Sequence, residues 1–269
     1  MIAGICLVSK TLRPATEIIG VESSRCPSMT AALEAGRPVK VTSKSSLADG
    51  LAVPEVGALS FEVAQSRIGR VVTVSEESIT RAILRIAEAE KGVVEGAGAT
   101  PLAAFMEGKL KHLEGKKVVL VLCGGNIDPT TLSRVIEHGL ALEGRLVQFL
   151  AVISDRPGGL VDFATAVAST GASIKQVSHE RAFGEADVSR VQVLCCCCCC
   201  CCCCCCCCCS SRVQVLCQME VRGPEHTDEV FAALRDRGIE VVSRGSLRSI
   251  ASPPLSPAVA RAAVEHTSL

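Results

Sequence analysis

Four residues at the end of an apolar segment could take part in chemistry. Residues 118–122 are all apolar and mostly β-branched, which predicts a parallel strand covered on both faces. Ligands bind at the carboxyl ends of such strands. Directly after the segment come a thiol, two residues that let a ligand approach the backbone, and an amide that can brace a turn: Cys123, Gly124, Gly125 and Asn126. The same residues could equally form an ordinary tight turn.

The sequence before this loop predicts helices that alternate with apolar strands. In one helix Ser75 is placed to cap the N-terminus, Glu76 and Glu77 lie in the first turn, and apolar residues recur at helical spacing towards Gly92. Further helices are expected at residues 1–12, 28–35 and 98–108, and strands at residues 17–21 and 71–74. This alternation is typical of an α/β domain with a parallel sheet.

The second half of the chain follows the order strand, helix, strand, strand, helix, strand. Strands are expected at residues 146–153, 172–181, 212–221 and 239–242, and Pro157 and Pro224 are placed to open the two helices. The third strand alternates polar residues with an apolar set, Val213, Val215, Cys217, Met219 and Val221. That alternation predicts one buried face.

The composition excludes some classes of protein. The chain has 28 basic and 28 acidic residues, no Trp, no Tyr and six Phe, so it lacks the basic surface and the stacking platform of a nucleic-acid-binding protein. Apart from a cysteine tract, no apolar run is long enough for a membrane span, and no segment resembles a signal peptide. We therefore expect no nucleic-acid partner, no membrane association and a cytoplasmic location, with an organellar location left open.

Most of the cysteines form a single run. Of the 19 cysteines, 15 are consecutive from Cys195 to Cys209. A homopolymer has neither metal-ligand spacing nor a defined disulfide pairing. The hexapeptide SRVQVL occurs on both sides of it, at residues 189–194 and 211–216. We interpret residues 195–209 as an insertion or a sequence artefact, the alternative being a metal-binding segment.

Five segments carry a resemblance to a known enzyme family. The segments are IAGI (2–5), IIGVE (18–22), LADGLAV (47–53), VVEGAGATPLAA (93–104) and VLCGGNID (121–128). They resemble, in sequence, order and separation, the later half of the catalytic domain of threonine dehydratase, also called threonine ammonia-lyase. This resemblance implies a partial fold-type II pyridoxal-phosphate domain, of the kind shared with serine racemase.

The resemblance implies a reaction and a cofactor. Pyridoxal 5′-phosphate would serve an ammonia-lyase that converts L-threonine or L-serine into a 2-oxo acid and ammonia. Cys123 would take the place usually held by Ser or Cys against the pyridine nitrogen, where a weak neutral group leaves the ring uncharged. Gly124, Gly125 and Asn126 would shape the floor of the ring site.

Three further residues would lie near the cofactor and substrate according to the same resemblance. They are Asp49, Gly50 and Glu95. Each has a simpler alternative, since Asp49 could cap a turn with Gly50 and Glu95 could satisfy a loop.

The resemblance also bears on a metal site. In the racemase-like branch the residue matching Glu22 begins a divalent-cation site that a nearby acidic residue completes. The next six residues here, SSRCPS, contain no acid. We therefore predict that Glu22 does not bind a metal and that the chain has no metal site.

The family's imine-forming lysine and phosphate-binding glycine loop precede the part that matches this chain. None of the chain's lysines lies in a matching context. The expectation is an ammonia-lyase that lacks its covalent centre and is inactive as it stands. The alternative is a non-catalytic fragment that binds an amino acid or mediates oligomerisation.

The second half resembles an ACT domain, the amino-acid-sensing module often attached to threonine dehydratases. The resemblance places a possible amino-acid effector at Gly158 and Gly159, which could otherwise only permit a tight helix entry. It also implies a homo-oligomer. The expected organisation is a partial catalytic domain at residues 1–143, an ACT domain at 144–247 and a tail at 248–269.

Overall fold

The computed structural model describes residues 1–178 and 212–245 and divides into two compact units, Met1–Leu142 and Glu143–Leu269. The predictions for the cysteine run and for the tail fall on residues outside the described ranges. Each unit is described by itself below.

The first unit contains helices and a parallel pair of strands. Strands β1 and β2 pair in parallel, with Val21 opposite Val72. The predicted α/β class with parallel pairing is therefore confirmed. The elements are α1 (Ile2–Leu12), β1 (Ile19–Ser23), α2 (Ser28–Ala35), α3 (Ala58–Gln65), β2 (Arg70–Val74), α4 (Glu76–Ala89), α5 (Gly96–Met106) and α6 (Pro129–Leu142), with short 3₁₀ turns at Asp49–Leu51 and Lys111–Leu113.

Helix α4 forms for the reasons that its sequence suggests. The Ser75 hydroxyl accepts a hydrogen bond from the backbone N–H of Ser78, at 3.2 Å, which caps the N-terminus. Its apolar face is buried against α5, with Ile79 and Ile83 almost inaccessible to solvent. The helix ends at Ala89, three residues before the predicted stop at Gly92.

Residues 118–122 do not form the buried strand that their sequence predicts. The segment is not assigned to either sheet of the described residues, and Val119 is 89% exposed. An apolar run becomes a strand only where a neighbouring strand pairs with its backbone, and β1 and β2 pair with each other instead. The prediction was wrong because the apolar residues of a segment indicate a preference for burial but do not show whether another strand is available to pair with its backbone.

The described residues of the second unit, 143–178 and 212–245, form a four-stranded antiparallel sheet and two helices. Its elements follow the predicted order: β3 (Leu146–Ser154), α7 (Gly159–Ser169), β4 (Ser173–Ser178), β5 (Arg212–Glu220), α8 (Pro224–Asp236) and β6 (Glu240–Gly245). The strands lie in the order β4-β5-β3-β6. The two longest strands, β3 and β5, are therefore central.

The core of the second unit lies between the sheet and its helices. Phe149 of β3 contacts Phe163 of α7 and makes an edge-to-face pair with Phe231 of α8, at a centroid distance of 5.1 Å. Along β5 the residues Val215, Cys217 and Met219 are fully buried, which confirms the predicted apolar face. Burial raises the pKa of the Cys217 thiol to about 12.

None of the helices in residues 1–178 and 212–245 has both the length and the apolar character that a membrane span requires.

Candidate functional site

The first turn of α5 is packed between two other backbone segments. A Cβ placed on Gly96 would overlap the carbonyl group of Leu47, and one on Gly98 would overlap the carbonyl oxygen of Cys123. Glycine is needed at both positions because only backbone without a side chain can approach this closely. The alternating glycines of the EGAGA sequence therefore bring residues 47–50 and 123–126 to the same helix end.

Glu95 connects this helix end to the glycine loop. Its backbone N–H donates to the carbonyl oxygen of Gly124 at 2.8 Å, and its carboxylate Oε2 accepts from the backbone N–H of Asn126 at 3.1 Å. Gly124 has a φ of +85°, and a Cβ there would overlap the Glu95 side chain. Glu95 therefore fixes the shape of the loop.

Cys123 is partly buried, and the three residues after it are exposed. Its Sγ lies 3.9 Å from the Sδ of Met1 at the start of α1. Gly125 has open space around its Cα, since the nearest atom to an added Cβ would be the carbonyl oxygen of Val93 at 3.9 Å. The loop thus presents a thiol at Cys123 and open backbone at Gly125, whereas the Gly124 backbone between them packs against the Glu95 side chain.

Asp49 and Gly50 form an exposed turn beside this loop. The carboxylate of Asp49 accepts from the backbone N–H of Gly50 at 2.8 Å, so Asp49 does cap its own turn. Gly50 is close to α5, because a Cβ on it would be 3.4 Å from the Cβ of Ala97 and 3.8 Å from Oε1 of Glu95. The structure therefore places Gly50 next to Glu95.

Glu22 is buried and binds the N-terminus of α2. Its carboxylate accepts from the backbone N–H groups of Met29 and Thr30, at 3.0 and 2.9 Å, and from the Thr30 hydroxyl at 2.5 Å. The Glu22 carboxylate therefore caps the N-terminus of α2. In the described ranges 1–178 and 212–245, no cluster of three or more His, Cys, Asp or Glu side chains is arranged to hold a metal ion.

The carboxylates of Glu76 and Glu107 both lie near the start of α4, and the sequence predicted the contacts of neither. Glu76 was expected only to interact with the helix dipole, and Glu107, which follows α5, was not singled out. Glu76 accepts from Ser23, from Ser46 and from the backbone N–H of Leu47. Glu107 accepts from the N–H and the hydroxyl of Ser75, both at 2.7 Å. Sequence spacing could not reveal these contacts, since 29 to 53 positions separate Glu76 from its partners.

Gly158 and Gly159 open helix α7 in the second unit. Gly158 is the N-cap residue with a φ of +98°. A Cβ on Gly159 would overlap the carbonyl oxygen of Ser154 at the end of β3. Both glycines are therefore needed for the tight entry into the helix, which was the simpler of the two roles considered for them.

Comparison with known proteins identifies the class of the first unit. Residues 1–124 match the model of the family described as pyridoxal-phosphate dependent enzyme. The match over residues 1–124 confirms the resemblance of the first unit to this family. Pyridoxal phosphate is the cofactor of the family.

Two relatives are L-threonine ammonia-lyases. The protein of Thermotoga maritima is 39% identical over 193 residues, which are 72% of this chain and 48% of the relative. The protein of Geobacter sulfurreducens is 36% identical over 238 residues, which are 88% of this chain and 54% of the relative. The chain thus spans about half the length of the curated relatives that it matches.

One solved structure with similarity to the chain is the processed form of threonine deaminase isoform 2 from Solanum lycopersicum. Its sequence is 33% identical, and the alignment covers 51% of this chain and 40% of that chain, with a TM-score of 0.48.

The loop at residues 123–126 fits the cofactor of this family. A flat aromatic ring needs a surface without projecting side chains, and the open backbone of Gly125 offers one. A weakly polar thiol at Cys123 suits contact with a neutral ring nitrogen. The main-chain bonds from Glu95 and Asn126 keep this surface in one shape.

Proposed function

We propose that the first unit forms part of the site of a pyridoxal-phosphate-dependent ammonia-lyase that acts on L-threonine or L-serine. The names of the two bacterial relatives support the reaction and the substrate class. The structural observation that carries the proposal is the junction of Glu95 with the loop at residues 123–126, because it brings three of the five family-like segments to one place.

In this proposal each segment has a distinct part in the site. Cys123 would face the pyridine nitrogen, and Gly124, Gly125 and Asn126 would form the floor beneath the ring. Bound pyridoxal phosphate would withdraw electrons from the amino acid, so that the α-proton and the β-hydroxyl leave as water, and hydrolysis of the resulting enamine would give the 2-oxo acid and ammonia. A thiol, unlike a carboxylate, cannot hold a proton on the ring nitrogen by ion pairing.

Asp49, Gly50 and Glu95 border the same site in this proposal. Gly50 lies beside the Glu95 carboxylate, since a Cβ on it would be 3.8 Å from Oε1 of Glu95. Asp49 directly precedes Gly50 and is exposed. Glu95 holds the floor loop from one side and is near Gly50 on the other. It can therefore keep the spacing between the ring floor and the residues that border the substrate.

We propose further that the second unit is an ACT domain at residues 144–247, interrupted by the cysteine run at 195–209. Its order of elements and its antiparallel sheet, β4-β5-β3-β6, support this assignment. An effector amino acid would bind near Gly158 and Gly159, because the N-terminal end of a helix such as α7 favours a carboxylate. Pairing of two such units would make the protein a homo-oligomer.

A chimera tests the catalytic proposal. In the Thermotoga maritima relative, the segment that matches residues 1–142 is replaced by those residues. The chimera should bind pyridoxal phosphate and produce 2-oxobutanoate from L-threonine or pyruvate from L-serine, measured by a coupled dehydrogenase assay. A folded chimera that binds the cofactor and forms neither product would contradict the proposal.

A further inference from the structure

The carboxylate of Glu76 connects three elements of the first unit. Glu76 is the first residue of α4, and its side chain is only 15% exposed. Its Oε1 accepts hydrogen bonds from the hydroxyl groups of Ser23, at 2.8 Å, and Ser46, at 2.6 Å. Ser23 ends β1, so this oxygen joins a strand, a helix and the segment at residues 46–48.

The other carboxylate oxygen holds the backbone of that segment directly. Oε2 of Glu76 accepts from the backbone N–H of Leu47 at 2.7 Å. The next N–H, that of Ala48, donates to the hydroxyl of Ser46 at 3.0 Å, and Ser46 is itself bound to Glu76. Two consecutive backbone N–H groups of the segment therefore donate to side chains. Leu47 donates to Glu76 directly, and Ala48 donates to Ser46, whose hydroxyl is bound to Glu76.

Residues 46–48 are also in direct contact with the candidate site. The carbonyl group of Leu47 lies against Gly96, where any Cβ would overlap it. Three residues after Leu47, Gly50 lies beside Ala97 and Glu95. The placement of Leu47 therefore fixes where the turn at Asp49–Leu51 meets the first turn of α5.

We propose that Glu76 is a positioning residue, which holds residues 46–50 against α5 and so fixes Gly50 and Asp49 relative to Glu95. Glu76 does not touch the residues assigned to the cofactor and acts through Leu47 and Ser46. Its relevance to catalysis rests on the function proposed above. The placement itself is a property of this chain and can be measured without cofactor, substrate or activity.

Glu107 provides a matched control for Glu76. Both carboxylates lie at the N-terminal end of α4 and are similarly exposed, at 16% and 15%. Both accept hydrogen bonds from a backbone N–H and from serine hydroxyl groups. Glu107 binds Ser75, however, and no hydrogen bond connects it to residues 46–50 within the ranges that the structure describes.

The test is nuclear magnetic resonance on the full chain with Glu76→Gln and Glu107→Gln. The Gln side chain has one acceptor oxygen where the Glu76 carboxylate has two. Either the Leu47 N–H or the hydroxyl groups of Ser23 and Ser46 therefore lose their acceptor. We expect exchange of the Leu47 and Ala48 amides to accelerate about tenfold or more in E76Q, as for loss of one hydrogen bond to a charged group. In E107Q these two amides should stay within about twofold of the parent chain after correction for global stability.

Selective ¹⁵N labelling of glycine reports on the site itself. The Gly50 and Gly96 resonances should shift in E76Q and remain in place in E107Q, since only the former change alters the contact of residues 46–50 with α5. A merely stabilising carboxylate would change the free energy of unfolding without moving these two signals. Equal effects of both variants on the two glycines, or unchanged exchange in E76Q, would overturn the proposal.

A second variant keeps the test decisive if E76Q does not fold. Ser46→Ala leaves α4 intact and removes the acceptor of the Ala48 N–H. It should accelerate exchange at Ala48 and shift Gly50, whereas unaltered spectra would refute the positioning role. An inactive chimera in the assay above would count against the proposed function alone, because these measurements do not use the reaction.

Discussion

Replacing Glu107 with Gln should remove a pH-dependent part of the stability of the first unit. Partial burial by itself raises the pKa of Glu107, but hydrogen bonds from Lys109, Ser75 and Ser78 outweigh it and lower the pKa from the ordinary 4.5 to about 2. Lys109 lies 2.8 Å from its Oε2, and the side chain is only 16% exposed. The Gln variant keeps the size of the side chain and cannot titrate.

The direction and the magnitude follow from the shift in pKa. A carboxyl group with a lowered pKa in the folded state stabilises the fold above its unfolded pKa, and this stabilisation is lost as the pH falls through the folded value. At about 1.4 kcal/mol per pH unit, the difference between 4.5 and about 2 corresponds to about 3 kcal/mol at neutral pH. About 2 kcal/mol of that should already be lost at pH 3.

Urea unfolding followed by circular dichroism can measure this, because the chain has no Trp or Tyr for fluorescence. The free energies of unfolding of the parent chain and of Glu107→Gln are compared from pH 7 to pH 3, with a reductant present. Their difference should shrink by about 2 kcal/mol over this range. Glu34→Gln, at an exposed position, should show no such change. A constant difference for Glu107→Gln would refute the assignment of these hydrogen bonds.

Three further predictions concern the packing and the proposed chemistry. Gly98→Ala should destabilise the first unit by roughly 1–3 kcal/mol in urea unfolding, because the new Cβ would overlap the carbonyl oxygen of Cys123. Gly92→Ala is the control and should not destabilise the unit, since no atom lies within 4 Å of a Cβ there. Equal effects of the two substitutions would contradict the close approach at Gly98. In the chimera, Cys123→Ser should keep most activity and Cys123→Asp should alter the cofactor spectrum and the products, while equal losses with unchanged spectra would remove Cys123 from the site. Cys217→Ser should destabilise the second unit by about 1–3 kcal/mol and Cys217→Val by less, as judged by circular dichroism, and the reverse order would argue against its apolar surroundings.

Local signals in the sequence predicted most helices and strands of the two units. Helix α4 carries its own cap at Ser75 and a regular apolar face, and β5 alternates buried and outward residues along nine positions. These features depend on neighbours within one or two turns or along one strand, which the sequence shows directly. Helix α3, by contrast, buries only Phe61 and Ala64, so its sequence has too weak a periodicity to predict it.

The loop at Cys123 was predicted from its residues, but its surroundings were not. Its strand was expected to be buried, and residues 118–122 are instead partly or fully exposed. Gly124 was predicted to permit a close approach, and a side chain there would overlap Glu95; Gly98, where a side chain would overlap the carbonyl oxygen of Cys123, was predicted only as the start of a helix. Glycine spacing reports a close approach of backbone, although it does not name the segment that approaches.

The two acidic residues at the start of α4 show where prediction from sequence stops. Glu76 and Glu77 have the same charge and lie in the same first turn, so the helix dipole explains both equally well. The structure distinguishes Glu76 because its carboxylate reaches Ser46 and Leu47, which are close in space and far apart in the chain. A carboxylate that accepts bonds from a strand end and from a loop constrains both, since displacing either one leaves a partly buried charge with fewer donors. The position of Gly50 beside Glu95 is therefore set by a residue that chemical type and spacing alone would have assigned to the stability of its own helix.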